Sequence, residues 1–289
     1  MRNPISRSSS LRGTTARTLV ALVLVSVAAG GCGGTSSRPA DVPVIAARAT
    51  AHGVALRTAA AAVAARSDVP VLCYHQIRAP TAADDAQARP FIIRPDVFAR
   101  QMQALAQAGY RTITGEQLVA HAARGAPLPP KPVLLTFDDA TEGQFTSALP
   151  VLERHRFVAT FFVMTVVLDK PGWLTRAQVR TLDRAGMTIG AHTWDHRSVL
   201  QYRGGDWHAE LEAPRDALAA IVGHPIRLFA YPYGRWTPTV FGRLARAAYT
   251  GAFQLARPLD ARYPLWTLRR IVVPAMGGPE LLAAMRQSF

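Results

Sequence analysis

Residues 132–139 read Pro-Val-Leu-Leu-Thr-Phe-Asp-Asp, a short apolar run that ends in two carboxylates. Val133 to Phe137 is typical of a buried strand. Consecutive strand residues point to opposite faces, so Asp138 and Asp139 must enter different environments. Two anions this close repel each other unless a cation or a proton separates them. The pair therefore indicates either a bound metal ion or, more simply, a cap on the following helix, a position that Asp suits well.

Apolar runs alternate with helical patterns on both sides of this strand. The alternation predicts an α/β fold with parallel strands and helices outside them. Seven or eight such units in about 220 residues favour a closed or nearly closed barrel over an open sheet, although the pattern leaves closure undecided. In either case the active groups belong at the C-terminal ends of the strands. The other predicted strands cover residues 70–75, 110–114, 157–164, 187–191, 226–231, 251–254 and 268–273. Helices are predicted over 96–108, 116–123, 175–185, 211–222, 237–248 and 279–286, with another through Phe145, Leu149 and Leu152.

Two histidines follow the strand predicted at 187–191. His192 and His196 are four positions apart, so they share one face if the segment turns helically. With one Asp of the pair they supply two imidazoles and a carboxylate, which is the ligand set of a catalytic zinc site with an open position. Most histidine pairs at this spacing are ordinary surface residues. The coincidence of both motifs at strand ends nevertheless favours a metal site.

Two further strands end in groups that are weaker evidence alone. Pro232 and Gly234 fix a tight turn in which the backbone N–H of Tyr233 is a candidate oxyanion donor, although Tyr231 and Tyr233 are equally compatible with simple packing. His75 ends the first strand and is either a hydrogen-bonded core residue or a general acid.

The first 31 residues have the pattern of an export signal. Four arginines and no acidic residue precede the small, apolar run Leu19 to Ala29, which is too short for a comfortable membrane span. The run leads to Cys32 through small residues. This resembles a bacterial lipoprotein signal and implies cleavage before Cys32 and its lipidation, with ordinary secretion or a retained anchor helix as alternatives. Residues 32–67 are rich in Ala, Gly, Ser and Thr and are predicted to be a flexible tether.

The composition fits a globular protein. Of the 289 residues, 49% are hydrophobic and 18% are charged, which allows a sizeable core. The formal net charge of +14 includes the four leader arginines and suits attraction to anionic envelope surfaces. No basic run has interleaved aromatics, so nucleic acid is not expected as a partner. If Cys32 is acylated, Cys73 has no disulfide partner and is predicted to be a buried, unreactive residue.

Taken together, these motifs resemble the polysaccharide deacetylase (NodB-homology) family of carbohydrate esterases. Thr136-Phe137-Asp138-Asp139, Ala159-Thr160-Phe161-Phe162-Val163, the His192 and His196 pair, and Tyr231-Pro232-Tyr233-Gly234 occur in the family's order. The resemblance runs from about Val69 to Val273. Pro70 to Ile77 and Leu268-Arg269-Arg270-Ile271 are similar to the branch that includes poly-β-1,6-N-acetylglucosamine deacetylases.

The resemblance implies a single-domain, distorted (β/α)7-type barrel over residues 68–289 and one divalent ion, expected to be zinc. The residues that match the family's roles are Asp138 as base, Asp139, His192 and His196 as metal ligands, and Tyr233 as oxyanion donor. This chain has no His after His224, so His75 is assigned as the acid. Ala230 stands where the family often has an orienting Arg, and Arg270 is the candidate replacement. Ala140 stands where the family usually has Gly.

The expected function is metal-dependent hydrolysis of acetyl groups from N-acetylglucosamine units of an envelope or extracellular polysaccharide. Tyr231, Trp194 and Trp236 are candidates for substrate binding, although these aromatics suit a core equally well. The chain is expected to be a monomer, exported across the inner membrane and held by lipid in the periplasm or at the outer membrane. Two alternatives stay open: a non-catalytic glycan-binding lipoprotein on a degenerate deacetylase scaffold, and an O-acetyl esterase.

Overall fold

The computed structural model describes residues 58–289, which lie within one compact unit. Within this part of the chain every ladder between named strands is parallel. The strands are β1 Val71–Tyr74, β2 Gln76–Ile77, β3 Ile92–Ile93, β4 Arg111–Ile113, β5 Pro132–Asp138, β6 Thr160–Val163, β7 Thr188–Ala191, β8 Leu228–Ala230, β9 Gly251–Phe253 and β10 Ile271–Val272. The helices are α1 over residues 58–66, α2 Pro95–Gln107, α3 Gly115–Arg124, α4 Leu149–His155, α5 Arg176–Arg184, α6 Ala213–Val222, α7 Pro238–Arg246 and α8 Gly278–Ser288.

The main sheet runs in the order β10-β1-β5-β6-β7-β8-β9, and β4 pairs with the start of β5. One short segment joins the two ends of this order. Leu268 forms a parallel bridge with Phe253 of β9, and three residues later Ile271 pairs with Leu72 of β1. The predicted distorted (β/α)7-type barrel is therefore confirmed. The segment that closes it, residues 268–272, is only a few residues long.

Alternate residues of β1, β5, β6, β8 and β9 enter two different apolar clusters, as the two-residue period of a strand requires. In β5, Leu134 belongs to the smaller cluster with Phe162, Leu228 and Phe253, whereas Leu135 and Phe137 pack with the helices. Thr136 and Asp138 share the face of Leu134, so the candidate base points into the barrel. Both groups are almost completely buried.

The predicted elements are present, with ends shifted by three residues or fewer. The capping box at Thr175 and Gln178 is formed, but the Thr237 side chain makes no cap hydrogen bond, so Pro238 alone marks that helix start. No sequence pattern predicted the two-residue ladder of β2 and β3. The end of the predicted tether is helical at 58–66, and Arg66 Nε donates to the Ala122 carbonyl at 2.9 Å.

The predicted signal, Cys32 and residues 32–57 of the tether lie outside the described residues. Within residues 58–289, no helix is both long enough and apolar enough to cross a membrane.

Candidate active site

The C-terminal ends of four strands of the main sheet converge on one small cavity. Its volume is about 200 Å³, and its walls come from the segments that follow β1, β5, β7 and β8. This is the edge of a parallel barrel at which functional groups are expected. The lining residues are His75, Gln76, Phe91, Asp138, Asp139, His192, His196, Tyr231, Tyr233 and Leu255.

Asp139, His192 and His196 form a compact set of three potential metal ligands. Asp139 Oδ1 lies 3.5 Å from His192 Nε2 and 3.6 Å from His196 Nε2. Ligands of a tetrahedral zinc ion at 2.0–2.2 Å are separated by roughly 3.4 Å, so these spacings match. Asp139 Oδ1 is buried and has no hydrogen-bond partner among the described residues. An orphaned carboxylate oxygen facing two imidazole nitrogens fits a cation well.

The hydrogen bonding of His192 leaves the correct nitrogen available for a metal. Its Nδ1 lies 2.8 Å from the carbonyl of Ala230, which can only accept, so Nδ1 carries the proton and Nε2 has a free lone pair. Burial lowers the pKa of His192, but Asp138 and Asp139 outweigh burial and raise it above its usual value. The two carboxylates thus make this position favourable for positive charge.

His196 is held neutral at physiological pH. Burial and then the neighbouring His192 lower the pKa of His196 to about 4. A neutral imidazole is the form that binds a metal ion. The helical turn that would place His192 and His196 on one face is not formed, because the segment after β7 is not helical. Thr193 and His196 instead have positive φ values of 68° and 67°, and this turn brings the two rings to 4.8 Å between centroids.

Asp138 forms a bidentate ion pair with Arg270. Arg270 Nη1 donates to Oδ1 at 2.6 Å and Nη2 donates to Oδ2 at 2.8 Å, with both side chains buried. Burial by itself would raise the pKa of Asp138, but the Arg270 guanidinium and His192 hold it well below its usual range. Arg270 is fixed in turn by its Nε, which donates to the Gln254 carbonyl at 2.9 Å. Asp138 is therefore an ionised carboxylate of fixed orientation.

A second set of potential ligands, Cys73, His75 and Asp138, also lies within 4.8 Å. It suits a cation less well because Arg270 already neutralises Asp138. Burial raises the pKa of the Cys73 thiol, which therefore stays protonated, and its Sγ lies 3.5 Å from Asp138 Oδ2. Cys73 is fully buried, as predicted.

His75 faces the same cavity with an unused ring nitrogen. Its Nδ1 is buried without a hydrogen-bond partner among the described residues, and its ring packs on Phe91 at 4.7 Å. Burial lowers the pKa of His75, and Asp138 and Asp139 oppose this shift. The side chain thus borders the cavity, and its Nδ1 is not committed to another group of the described residues.

Tyr233 stands at the mouth of the cavity. Its φ of 59° places it in the left-handed region, its ring lies 4.5 Å from that of His196, and its side chain is 60% exposed. Asp139 and Ala140, with φ values of 79° and 71°, share this conformation. Such backbone strain in residues other than glycine concentrates at functional sites.

The candidate sugar-binding aromatics are only partly placed for that role. Trp194 is 47% exposed, but it does not line the cavity. Trp236 is half-buried, and its Nε1 donates to Gln254 Oε1 at 2.8 Å. Trp236 therefore helps to hold Gln254, whose backbone carbonyl accepts from Arg270 Nε. Tyr231 borders the cavity, but it is buried and its hydroxyl donates to the Trp266 carbonyl at 3.0 Å. Trp236 is therefore packed against Gln254, which is one of the two possibilities that the sequence left open.

Sequence reasoning missed three polar residues that support the site. Gln144 Nε2 donates to the Asp138 carbonyl at 2.5 Å and to the His75 carbonyl at 2.9 Å. Gln254 holds the loop before β10, and Glu210 holds the loop that carries His196. All three side chains are buried. Each of the three is a polar residue within or beside an apolar pattern, and this is the sequence feature that could have indicated a buried supporting role.

Comparison with known proteins agrees with this geometry. Residues 125–252 match the family model described as polysaccharide deacetylase. These matched residues are similar to a polysaccharide deacetylase domain. The chain resembles the solved structure of the Streptococcus pyogenes deacetylase PplD in complex with acetate, with a TM-score of 0.70 and 27% identity over 75% of this chain and 97% of that one.

Two curated relatives match the chain over part of their length. The chitooligosaccharide deacetylase of Bradyrhizobium sp. (strain ANU 289) is 32% identical over 46% of this chain and 59% of its own. The poly-β-1,6-N-acetyl-D-glucosamine N-deacetylase of Escherichia coli (strain K12) is 26% identical over 41% of this chain and 20% of its own. The chain thus spans under two thirds of either relative.

Proposed function

We propose that this protein is a metal-dependent N-deacetylase that acts on N-acetylglucosamine units of a polysaccharide. One observation carries the proposal: an orphaned carboxylate oxygen of Asp139 lies within 3.6 Å of both His192 Nε2 and His196 Nε2, beside a second carboxylate that Arg270 holds ionised. Asp139, His192 and His196 suit a divalent ion, and the Asp138 carboxylate is left free to act as a base. One chain supplies all of these groups, so a monomer suffices.

Asp139, His192 and His196 would hold the ion, for which zinc is the best match to two imidazoles and a carboxylate. Such an ion polarises the acetyl carbonyl and lowers the pKa of a water in the open position. The remaining chemistry belongs to side chains and backbone of this chain.

Asp138 takes a proton from the attacking water, and Arg270 keeps its carboxylate aimed into the cavity. As the amide carbonyl becomes tetrahedral, the Tyr233 N–H donates a hydrogen bond to the developing oxyanion. His75, whose side chain lines the same cavity, then delivers a proton to the departing sugar amine, and the proton that Asp138 took from the water replaces it. The products are acetate and a glucosaminyl residue.

The names of the relatives support a β-linked N-acetylglucosamine polymer or oligomer as the substrate. The test is a panel of chitin oligomers, β-1,6-linked polymer and peptidoglycan, on which both released acetate and new free amines are measured. Equal amounts of the two, lost with chelator and restored by zinc, are expected on at least one substrate. Acetate without free amines would instead identify an O-acetyl esterase. No acetate on any substrate, with glycan binding retained, would favour the non-catalytic alternative.

We also propose that the chain is exported and lipid-anchored at Cys32 in the cell envelope. The sequence before Cys32 supports this, with its basic start, short apolar run and small residues. Labelled palmitate should be incorporated into the wild-type chain but not into Cys32→Ser. Incorporation into both, or into neither, would contradict the lipid anchor.

A further inference from the structure

The loop that carries His196, residues 193–197, has a backbone that is costly to maintain. Thr193 and His196 both have positive φ values, which are rare outside glycine and unusual for a β-branched residue such as Thr193. A loop of this kind keeps its shape only where its surroundings hold it there. The position of the His196 nitrogen therefore depends on what holds the loop.

A single buried carboxylate contacts the loop on both sides of His196. Glu210 has no exposed surface and lies in the π-helical turn His208–Glu212, just before α6. Its Oε2 accepts from the backbone N–H of Trp194 at 3.0 Å and, more weakly, from that of Asp195 at 3.4 Å. Its Oε1 accepts from Arg197 Nη2 at 3.1 Å. Glu210 thus ties the residues before His196 to the residue after it.

The other contacts of the loop are compatible with this shape but do not replace Glu210. The His196 N–H donates to Thr193 Oγ1 at 2.9 Å, which is a bond within the loop. Tyr202 donates to the Arg197 carbonyl at 2.8 Å, and Val166 donates to the Trp194 carbonyl. The last two bonds satisfy carbonyl groups of the loop, whereas Glu210 accepts from the N–H groups of Trp194 and Asp195.

The chemistry of these contacts requires a carboxylate rather than an amide. Both oxygens of Glu210 accept, one from backbone N–H groups and one from a guanidinium. A Gln side chain has one oxygen and one NH₂ group. Whichever way it turned, the NH₂ would face another donor. Asp206 Oδ1 also accepts from Arg197 Nη2, at 2.9 Å, so the loss is greater when the NH₂ faces the two backbone N–H groups.

We propose that Glu210 is a positioning residue for the metal site, acting through the loop 193–197 to fix the His196 imidazole beside Asp139. The proposal rests on the metal centre of the proposed function. Residues that orient metal ligands in this way typically change metal affinity 10–100-fold when they are mutated.

The test measures the zinc dissociation constant of the full chain, stripped of metal, by competition with a chromophoric chelator. Glu210→Gln is expected to raise this constant about 10–100-fold, while the metal-free protein still folds, with a modest decrease in melting temperature. Glu212→Gln is the matched control, because Glu212 lies two residues away, is only partly buried and pairs with His208. It should bind zinc within about twofold of wild type. A Glu210→Gln protein that binds zinc within that range would overturn the proposal.

Glu210→Asp provides a second variant that keeps the charge but withdraws it from the two N–H groups. It is expected to weaken zinc binding by a smaller factor. Loss of folding in both variants would also contradict the proposal, because it assigns Glu210 to the loop rather than to the barrel core. If the wild-type chain binds no zinc, the proposed function itself fails. If wild type and both variants bind zinc equally, only the role of Glu210 fails.

Discussion

Asp138 and Asp139 are adjacent in the sequence, but they have opposite surroundings. Asp138 points into the barrel and is neutralised by Arg270, whereas an oxygen of Asp139 has no hydrogen-bond partner and faces His192 and His196. The alternation of strand residues and the left-handed conformation of Asp139 account for the difference. Two chemically identical side chains can therefore have separate roles.

This difference predicts distinct effects of two identical substitutions. Asp138→Asn should lower kcat by about 10²–10⁴-fold and leave zinc bound, because it removes a base but no ligand. Asp139→Asn should instead lose zinc affinity, since it removes the charged ligand. Measurements of kcat and of bound zinc on both variants test this. Wild-type kcat in Asp138→Asn, or equal loss of zinc in both variants, would refute the division of roles.

Arg270 predicts a coupled effect on stability and pH dependence. Arg270→Met leaves a buried carboxylate unpaired, which should lower the free energy of unfolding by about 3–5 kcal/mol. It should also raise the pKa of Asp138, because the main lowering influence is gone. Since a base must be deprotonated, the remaining activity should then be lost at a higher pH on the acid side.

Urea unfolding and a pH–rate profile measure the two effects, with Arg269→Gln as the neighbouring control. Arg269 contacts the carbonyl of Ser288 and the ring of Phe289, not Asp138. An Arg270→Met profile that coincides with wild type would contradict the orienting role of Arg270.

At the scale of single elements, Gly190 shows how closely the strands pack beneath the site. A Cβ added at this residue of β7 would lie 2.6 Å from the ring of Phe162 and 3.2 Å from the Leu228 carbonyl. Gly190→Ala should therefore destabilise the fold by about 1–3 kcal/mol through overpacking. Gly242→Ala in α7, where a Cβ meets nothing within 4 Å, should stabilise by about 0.5–1 kcal/mol. Denaturant unfolding measures the free energy of unfolding of both variants. Equal changes in the two would contradict the close packing at Gly190.

An ion pair between α5 and the loop before β8 predicts a pH-dependent contribution to stability. His224 Nε2 lies 2.8 Å from Asp183 Oδ1, and this contact raises the pKa of His224. The contribution is full below the unfolded pKa of about 6.5 and is lost as pH rises through the higher folded value. His224→Gln should therefore reduce the melting temperature more at pH 5.5 than at pH 9. A pH-independent difference would contradict this.

The elements were largely predictable because their signals are local. The buried run Val133 to Phe137 and the capping box at Thr175 depend only on neighbouring residues. The pairing of β2 with β3 was not predictable, since each strand is two residues long and the partners are distant in sequence. The turn that joins His192 to His196 escaped prediction for a similar reason. Its left-handed residues are held by Glu210, which lies 14 residues after His196 and in another element.

For the whole molecule, barrel closure is what brings Arg270 to Asp138. The segment 268–272 pairs with β9 at one end and with β1 at the other, so Arg270 enters the barrel beside β5. The sequence suggested Arg270 only through resemblance, because the two residues are 132 positions apart. The alternation of strands and helices predicted the barrel, but it did not predict that residues 268–272 close it.

The central claim is that one divalent ion binds between Asp139, His192 and His196. A crystal grown with zinc and measured at the zinc absorption edge tests this most directly. The account predicts one anomalous peak about 2.0–2.2 Å from Asp139 Oδ1, His192 Nε2 and His196 Nε2, with Asp138 still paired to Arg270. A peak between Cys73, His75 and Asp138 instead, or no zinc in the cavity at all, would contradict it.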